Sequence, residues 1–330
     1  MKRIALFALA TAMCVATFGQ ERRWAVVELS TAYMRNQPDY ESAMETQELM
    51  GTVVEILGEK GYWMDIMSPQ PYRAWVTNKV LVEMSKEQIE AYKKAPKVMF
   101  TALYGHLYEK PAKNSVTICD LVGGDMMRPT GRKKGNAWTE VMLPSGRPGW
   151  VRSDDIRRHD GFLSIAKGEG DAESISEQKM EKILEEAQKL TGVPYFWGGM
   201  CSRGVDCSGL VRISYIMNDV LLPRNASQLI HCGYKVPMEV NSSFWEESDR
   251  NSQAFTDEMK KRVSNLKRGD LVFFGFPATD KKPQKITHVG IYLGNNRIIH
   301  ASHLVRINSL IPTNEDYYEN SHRLIAARRL

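Results

Sequence analysis

The sequence predicts a modular chain, two small β-barrels followed by an α+β domain, and three observations carry that prediction. Residues 24 to 158 read as short strands broken by Gly, Pro and polar turns, among them Thr52 to Leu57, Tyr62 to Met67 and Ala137 to Leu143. That region also repeats itself. Trp63 and Trp75 are twelve residues apart, as are Trp138 and Trp150; each second Trp precedes Val, and Leu81 and Ile156 each follow six residues later. Past Trp150 the texture changes to one amphipathic helical period, a second helix and then apolar strands, the pattern of an α+β unit.

At 330 residues the chain exceeds one ordinary core, since domains run to about 150 residues. With 43% hydrophobic and 25% charged residues, collagen-like, disordered and multi-span membrane classes are excluded. Lys2 and Arg3, then an apolar run from Ile4 to Phe18 and a small residue at Gly19, have the layout of a secretory signal peptide. Fifteen residues fall short of the ~20 that span a bilayer, so export with removal of residues 1–19 is expected, to the periplasm or the exterior. Met13 before Cys14 is a poor fit to the small residue expected before a lipid-attached cysteine, so a soluble form without a stable membrane span is expected. Removing Lys2 and Arg3 takes the formal charge from +5 to +3, with no basic stripe interleaved with aromatics, so nucleic acid is not an expected partner.

The first barrel is placed at residues 20–84 and the second at 97–158, with Trp63 and Trp138 as the large aromatic of each core. Between them, residues 85–96 form a helical linker that begins at Ser85 and is stopped by Pro96. A second linker covers 159–175. The last domain, 176–330, opens with Ser174 and Glu177 as a capping box and a helix whose face is Met180, Ile183, Leu184, Ala187 and Leu190, closed by Gly192. A helix from about Cys207 to Met217 follows, then strands at Leu271 to Phe274, Val289 to Leu293 and Ile298 to Ala301. The polar stretch from Val236 to Lys261 reads as a surface insertion outside the sheet.

Cys207 is the residue whose position carries chemistry. At the first turn of a helix a thiol meets unpaired N–H groups and the positive dipole end, which favour thiolate. A thiol nucleophile needs a base, and the base needs a partner that orients it. His288 opens one strand and His300 ends the next, across the turn Gly294-Asn-Asn-Arg297. A two-residue turn at Asn295-Asn296 would set His300 opposite Ile291, about 10 Å along the strand from His288 at ~3.4 Å per residue, so a bulge, strong curl or another register is needed for the rings to meet. A zinc site from Cys201, Cys207, His288 and His300 fits no common structural zinc spacing, and Ser208 and Ser227 lack the helix-start position as rival nucleophiles. Cys119, Cys201, Cys207 and Cys232 remain after processing, which leaves disulfide pairing of Cys201 with Cys119 or Cys232 open.

Trp197-Gly-Gly, Asp206-Cys-Ser-Gly-Leu, Gly269-Asp-Leu-Val-Phe-Phe-Gly, His288-Val-Gly-Ile-Tyr-Leu-Gly and Ile299-His-Ala-Ser resemble the NlpC-type cysteine peptidases, a papain-like branch that cuts bacterial cell-wall peptides. That resemblance covers roughly residues 175 to 330; the paired β modules resemble the bacterial SH3-like domains that often precede this catalytic domain. The whole is similar to γ-D-glutamyl-L-diamino acid endopeptidases of peptidoglycan recycling. The resemblance implies a papain-like fold acting on peptidoglycan stem peptides without a cofactor, here expected as a monomer. Residue by residue it implies Cys207 as nucleophile, His288 as general base and acid, and His300 as the orienting third residue. The backbone N–H of Cys207 and the phenol of Tyr195 become the oxyanion hole, and Trp197, Asp206, Ser208 and Ser227 line the substrate groove. Tyr72 fits a tyrosine that the first module lends to the site.

The pattern is broken at two positions. An acidic residue expected in the first module is replaced by Ala43, and an aspartate expected after Pro223-Arg224 by Asn225. Both belong to recognition of a free N-terminal L-Ala amine, and a buried ammonium needs a carboxylate, so Glu41 or Glu45 has to substitute if that recognition survives. Two rival readings stay open on these residues: a thiol acyltransferase on the same fold, and a catalytically inactive wall-binding protein.

Overall fold

The computed structural model describes residues 22–165, 168, 175–240 and 252–330; the leader stretch, Cys14 and Ser174 lie outside them. Strands β1 (Arg23–Val27), β2 (Thr31–Arg35), β3 (Met44–Leu49), β4 (Val53–Lys60), β5 (Trp63–Ser68), β6 (Tyr72–Thr77) and β7 (Leu81–Met84) form one sheet in the order β3-β2-β6-β5-β4-β1-β7. The next seven are β8 (Lys97–Phe100), β9 (Tyr104–Tyr108), β10 (Thr117–Val122), β11 (Met126–Lys134), β12 (Trp138–Met142), β13 (Pro148–Arg152) and β14 (Ile156–His159). Their order is β10-β9-β13-β12-β11-β8-β14, the first sheet's order with every strand advanced by seven. The tryptophan repeat is therefore a repeat of topology. Trp63 and Trp138 open the equivalent strands β5 and β12 and are 5% and 7% exposed, and one 3₁₀ turn precedes both β7 and β14. These N-terminal β-rich domains are SH3-like.

Helix α1 (Lys86–Lys94) joins them. The Ser85 hydroxyl accepts from Gln88 N while the Gln88 side chain accepts from Ser85 N, a reciprocal cap that needs no tertiary help. Ile89 and Tyr92 pack beneath it on Val26.

The C-terminal domain is built on α2 (Glu177–Lys189) and α3 (Cys207–Ile216) packed on one face of a six-stranded sheet. Short strands β15 (Leu163–Ser164), β16 (Met200–Cys201), β17 (Gly204–Val205), β18 (Val220–Leu221) and β19 (Tyr234–Lys235) precede the long ones. These are β20 (Leu271–Phe276), β21 (Lys285–Gly294), β22 (Arg297–Ser302), β23 (Leu304–Ser309) and β24 (Leu324–Arg329), in the order β19-β24-β20-β21-β22-β23. Alternation along β20 sends Leu271 and Phe273 to the α2/α3 face and Val272 and Phe274 to the other. Every residue of α3 is buried, which explains its apolar run.

Three details differ from the sequence reading. The cap of α2 is Ser176, whose side chain accepts from Lys179 N, so Glu177 is the first residue of the helix and not the third position of a capping box. The segment read as a second linker supplies β15, which pairs in parallel with β18. The polar stretch from Val236 contains, in its described part, helix α5 (Gln253–Val263), whose Phe255, Met259 and Val263 cover the second face of the sheet. Its charged residues hid an apolar stripe at helical spacing. Truncating Trp63 or Trp138 to Ala is expected to cost about 3–5 kcal/mol each; urea unfolding of the two variants checks this, and a loss below about 1 kcal/mol would show that neither ring is a core anchor.

Candidate active site

Asp206 is the N-cap of α3, and its Oδ1 accepts from Gly209 N at 2.7 Å. Cys207 is therefore the first helical residue, with its own N–H among those an α-helix leaves unpaired. The backbone N–H of Val289 lies close enough to the Cys207 sulfur to lower its pKa, which sets the sulfur beside His288 on β21. His288 Nε2 lies 2.8 Å from His300 Nδ1, with the rings at 79°. Tyr318 packs edge-on against His300 at 4.5 Å between centroids and lies 5.8 Å from His288, and Phe274 stands 5.6 Å from His288 and 5.4 Å from Tyr318.

The two imidazoles meet because of a bulge. Tyr292 pairs with Ile298 and Gly294 with Arg297, so Leu293 is an extra residue on β21 and the register moves by one. His300 consequently faces Gly290 instead of Ile291. Since His288 is two residues from Gly290, it now shares that face, where the unbulged hairpin would have pointed it away. Gly290 leaves the space the rings cross: a Cβ there would stand 3.2 Å from that of His300.

Residues 192–327 match the NlpC/P60 family. They form an NlpC/P60 domain. The chain is 24% identical to the γ-D-glutamyl-L-lysine dipeptidyl-peptidase of Bacillus cereus, over 83% of this chain and 72% of that one. It is 24% identical to the Bacillus subtilis protein of the same name, over 88% of this chain and 82% of that one. With dipeptidyl-peptidase 6 of Lysinibacillus sphaericus the identity is 25%, over 87% of this chain and 91% of that one. In fold the chain resembles the crystal structure of an NlpC/P60 family protein from Bacillus cereus, with a TM-score of 0.68 and 20% identity, covering 93% of this chain and 99% of that one.

Burial governs ionisation in the NlpC/P60 domain's site. The Cys207 thiol, 9% exposed, is pushed up to about 11 by burial and then by the Asp206 charge, against which the N–H groups of Val289 and Ser208 and the Arg224 cation do not prevail. The expectation that the helix end alone yields a standing thiolate is thus overturned, because desolvation of the charge outweighs the dipole. Burial also lowers His288 to about 3 and His300 to about 4, aided in both by the Arg306 cation. Resting sulfur and imidazoles are neutral.

Of the predicted groove residues, Trp197 stands out into solvent at 65% exposure and Ser227 is exposed on α4 (Ala226–Leu229). Tyr195 is half-buried close enough to Cys207 for a charge on that sulfur to raise its phenol pKa, after the larger effect of burial. Asp206 and Ser208 are turned inward. Arg224, 1% exposed, donates to both Asp206 oxygens at 3.0 and 2.6 Å and to Ser208 Oγ at 2.8 Å, while Gly198 N donates to Asp206 Oδ2 at 2.9 Å. Their places as groove lining are thus corrected to internal scaffolding: every Asp206 oxygen is already engaged.

Tyr72 reaches the site from the first barrel, where its hydroxyl donates to Glu45 Oε2 at 2.9 Å and lies near enough to Asn225 for that amide to lower the phenol pKa. Glu45, rather than Glu41 or Ala43, is the carboxylate that the barrel brings to this corner. Gly198, at φ +75, makes the approach possible, since a Cβ there would stand 3.1 Å from the Glu45 backbone. Arg224 Nε also donates to Thr46 Oγ1 at 2.6 Å, and Met200 N to Gln47 Oε1 at 2.8 Å.

Sequence reasoning missed Arg224, Tyr318 and Asn308. Arg224 follows Pro223 with no local sign that it turns inward, and the other two carry no local signal either. None of Cys119, Cys201, Cys207 and Cys232 is in a disulfide. Among the described residues no three His, Cys, Asp or Glu side chains converge as a metal site. A cavity of about 580 Å³ lies between α1, the first barrel and the C-terminal domain, and it includes none of Cys207, His288 or Tyr195.

The histidine shifts have a stability consequence. Both folded pKa values lie below the usual 6.5, so the unfolded chain binds more protons and stability is complete above about 6.5 and falls as pH drops toward 4. Urea unfolding at pH 7 and pH 5 is expected to show this loss, and His300→Gln, which cannot titrate, should show a smaller one. An equal pH 7-to-5 difference in both proteins would contradict it.

Proposed function

We propose that this chain is an exported cysteine endopeptidase of the bacterial cell wall that hydrolyses the bond between γ-D-Glu and a diamino acid, meso-diaminopimelate or Lys, in peptidoglycan stem peptides. The observation that carries the reading is the contact of His288 with His300 at 2.8 Å beside a cysteine sulfur at the start of a buried helix. The names of the Bacillus and Lysinibacillus relatives support the substrate class. Export rests on the layout of residues 2–19.

The neutral resting pair sets the order of events. As the Cys207 sulfur bonds to the scissile carbonyl carbon, its proton passes to His288, so charge is made only when the substrate has closed the site. The carbonyl oxygen becomes an oxyanion within reach of Cys207 N–H and the Tyr195 hydroxyl, donors aimed where negative charge develops. Collapse breaks the C–N bond, and His288 returns the proton to the departing amine of the diamino acid. Water then attacks the thioester, giving its proton to His288 and regenerating the thiol. Cys207→Ala is expected to abolish cleavage of stem peptides, read by mass spectrometry; wild-type rates in that variant would refute the mechanism.

Glu45 supports recognition of a free N-terminal amine. Its carboxylate sits with Tyr72 and Asn225 at the edge of the site, in the role left open by Ala43 and Asn225. A free stem tripeptide is expected to be cut and the same tripeptide carrying muramic acid to be spared, and Glu45→Gln to raise KM for the former about tenfold or more, the scale of one charge-assisted hydrogen bond. Equal cleavage of both substrates by the wild type would rule the amine pocket out.

A further inference from the structure

Asn308 on β23 is buried, and nothing in the mechanism so far uses it. Its Nδ2 donates to the backbone carbonyl of Asp316 at 2.7 Å, and that carbonyl also accepts from Ser309 N at 3.0 Å. A carbonyl can only accept, so the amide has one permitted orientation, with Oδ1 toward His300. Oδ1 lies 2.9 Å from His300 Nε2. An amide oxygen also only accepts, so His300 Nε2 carries the proton. A neutral imidazole then has a bare Nδ1, and that atom lies 2.8 Å from His288 Nε2, which must be the donor. The proton on Nε2 leaves His288 Nδ1 bare.

We propose that Asn308 is a positioning residue that sets the tautomer of both histidines, so that the nitrogen of His288 free to take the Cys207 proton is Nδ1. The direction of the whole chain originates in a backbone carbonyl that cannot donate. When the Sγ proton moves to His288 Nδ1, Nε2–H continues to donate to His300 Nδ1, so neither ring turns during the cycle. Without the amide, His300 is free to hold its proton on Nδ1. That proton would then face the Nε2–H of His288, or drive His288 into the tautomer whose Nδ1 is already occupied. Burial of His300 beside Tyr318 keeps it neutral, which makes tautomer choice the variable that matters.

This assignment deepens the reading of Cys207 and His288 as nucleophile and base, and its first test needs no turnover. Long-range ¹H–¹⁵N correlation on the full chain at pH 7 is expected to show protonated Nε2 and bare Nδ1 on both His288 and His300; a proton on Nδ1 of either ring overturns the proposal. Asn308→Leu is expected to give mixed tautomers at His300 and a kcat lowered about ten- to hundredfold with KM little changed. Asn308→Asp, which keeps an acceptor in place, should restore Nε2–H and most of kcat and move the acid limb of the kcat profile upward. Wild-type tautomers and wild-type kcat in Asn308→Leu would also overturn it. An active Cys207→Ala variant would instead remove the catalytic reading while leaving the tautomer result to be judged separately.

Discussion

The carboxylate of Asp206 is the constraint that the site depends on. It accepts from Gly209 N, Gly198 N, the Ser208 hydroxyl and Arg224, so one side chain ties the start of the helix that carries Cys207 to the loop that presents Tyr195 and Trp197. Charge-assisted bonds of this kind are stronger than neutral ones, and the group is buried enough that losing any donor would leave a desolvated charge. The same charge also works against the sulfur next to it, since it ranks second only to burial in holding the Cys207 proton. Order at the helix start and easy ionisation are therefore in opposition here.

Through Arg224 that constraint extends into the first barrel. Thr46, Gln47 and Glu48 are consecutive on β3 and meet Arg224, Met200 N and Arg212 in turn, with Glu45 beside them bonded to Tyr72. Successive residues of a strand point to opposite sides, so contact by the whole run is possible only because β3 is the edge of its sheet. An open edge is a liability in most sheets. Here it is covered by the neighbouring domain. Arg212 and Glu48 are both buried, and removing either partner would strand a charge in the interior, which makes this docking intolerant of partial separation. The barrel is thus a wall of the site.

On the other side of the sulfur, geometry comes from a hairpin whose register is displaced by one residue. Leu293 absorbs the extra position, Gly290 clears the space, and two rings that an ideal two-residue turn would set on opposite faces come within hydrogen-bonding distance. Such bulges re-aim side chains beside functional sites. Tyr318 packs against both rings and Phe274 against His288, part of the burial that lowers both imidazole pKa values.

Much of this was legible in the chain alone. Two copies of a β module followed from the spacing of Trp63, Trp75, Trp138 and Trp150, because a repeated core demands a repeated anchor. The helix starting at Cys207 and the strands bearing His288 and His300 followed from local patterning, because apolar periodicity and turn residues act over a few positions. Hidden were the facts that depend on what lies across space: the bulge at Leu293, the inward turn of Asp206 and Ser208 toward Arg224, the choice of Glu45 over Glu41, the apolar stripe of α5, and the roles of Tyr318 and Asn308. The ionisation of Cys207 belongs with these, since a helix end is a local property but desolvation is the sum of everything packed around it. Sequence determined which groups the chemistry has; tertiary packing decided which of them touch, because burial, register and domain docking are set by residues far apart along the chain.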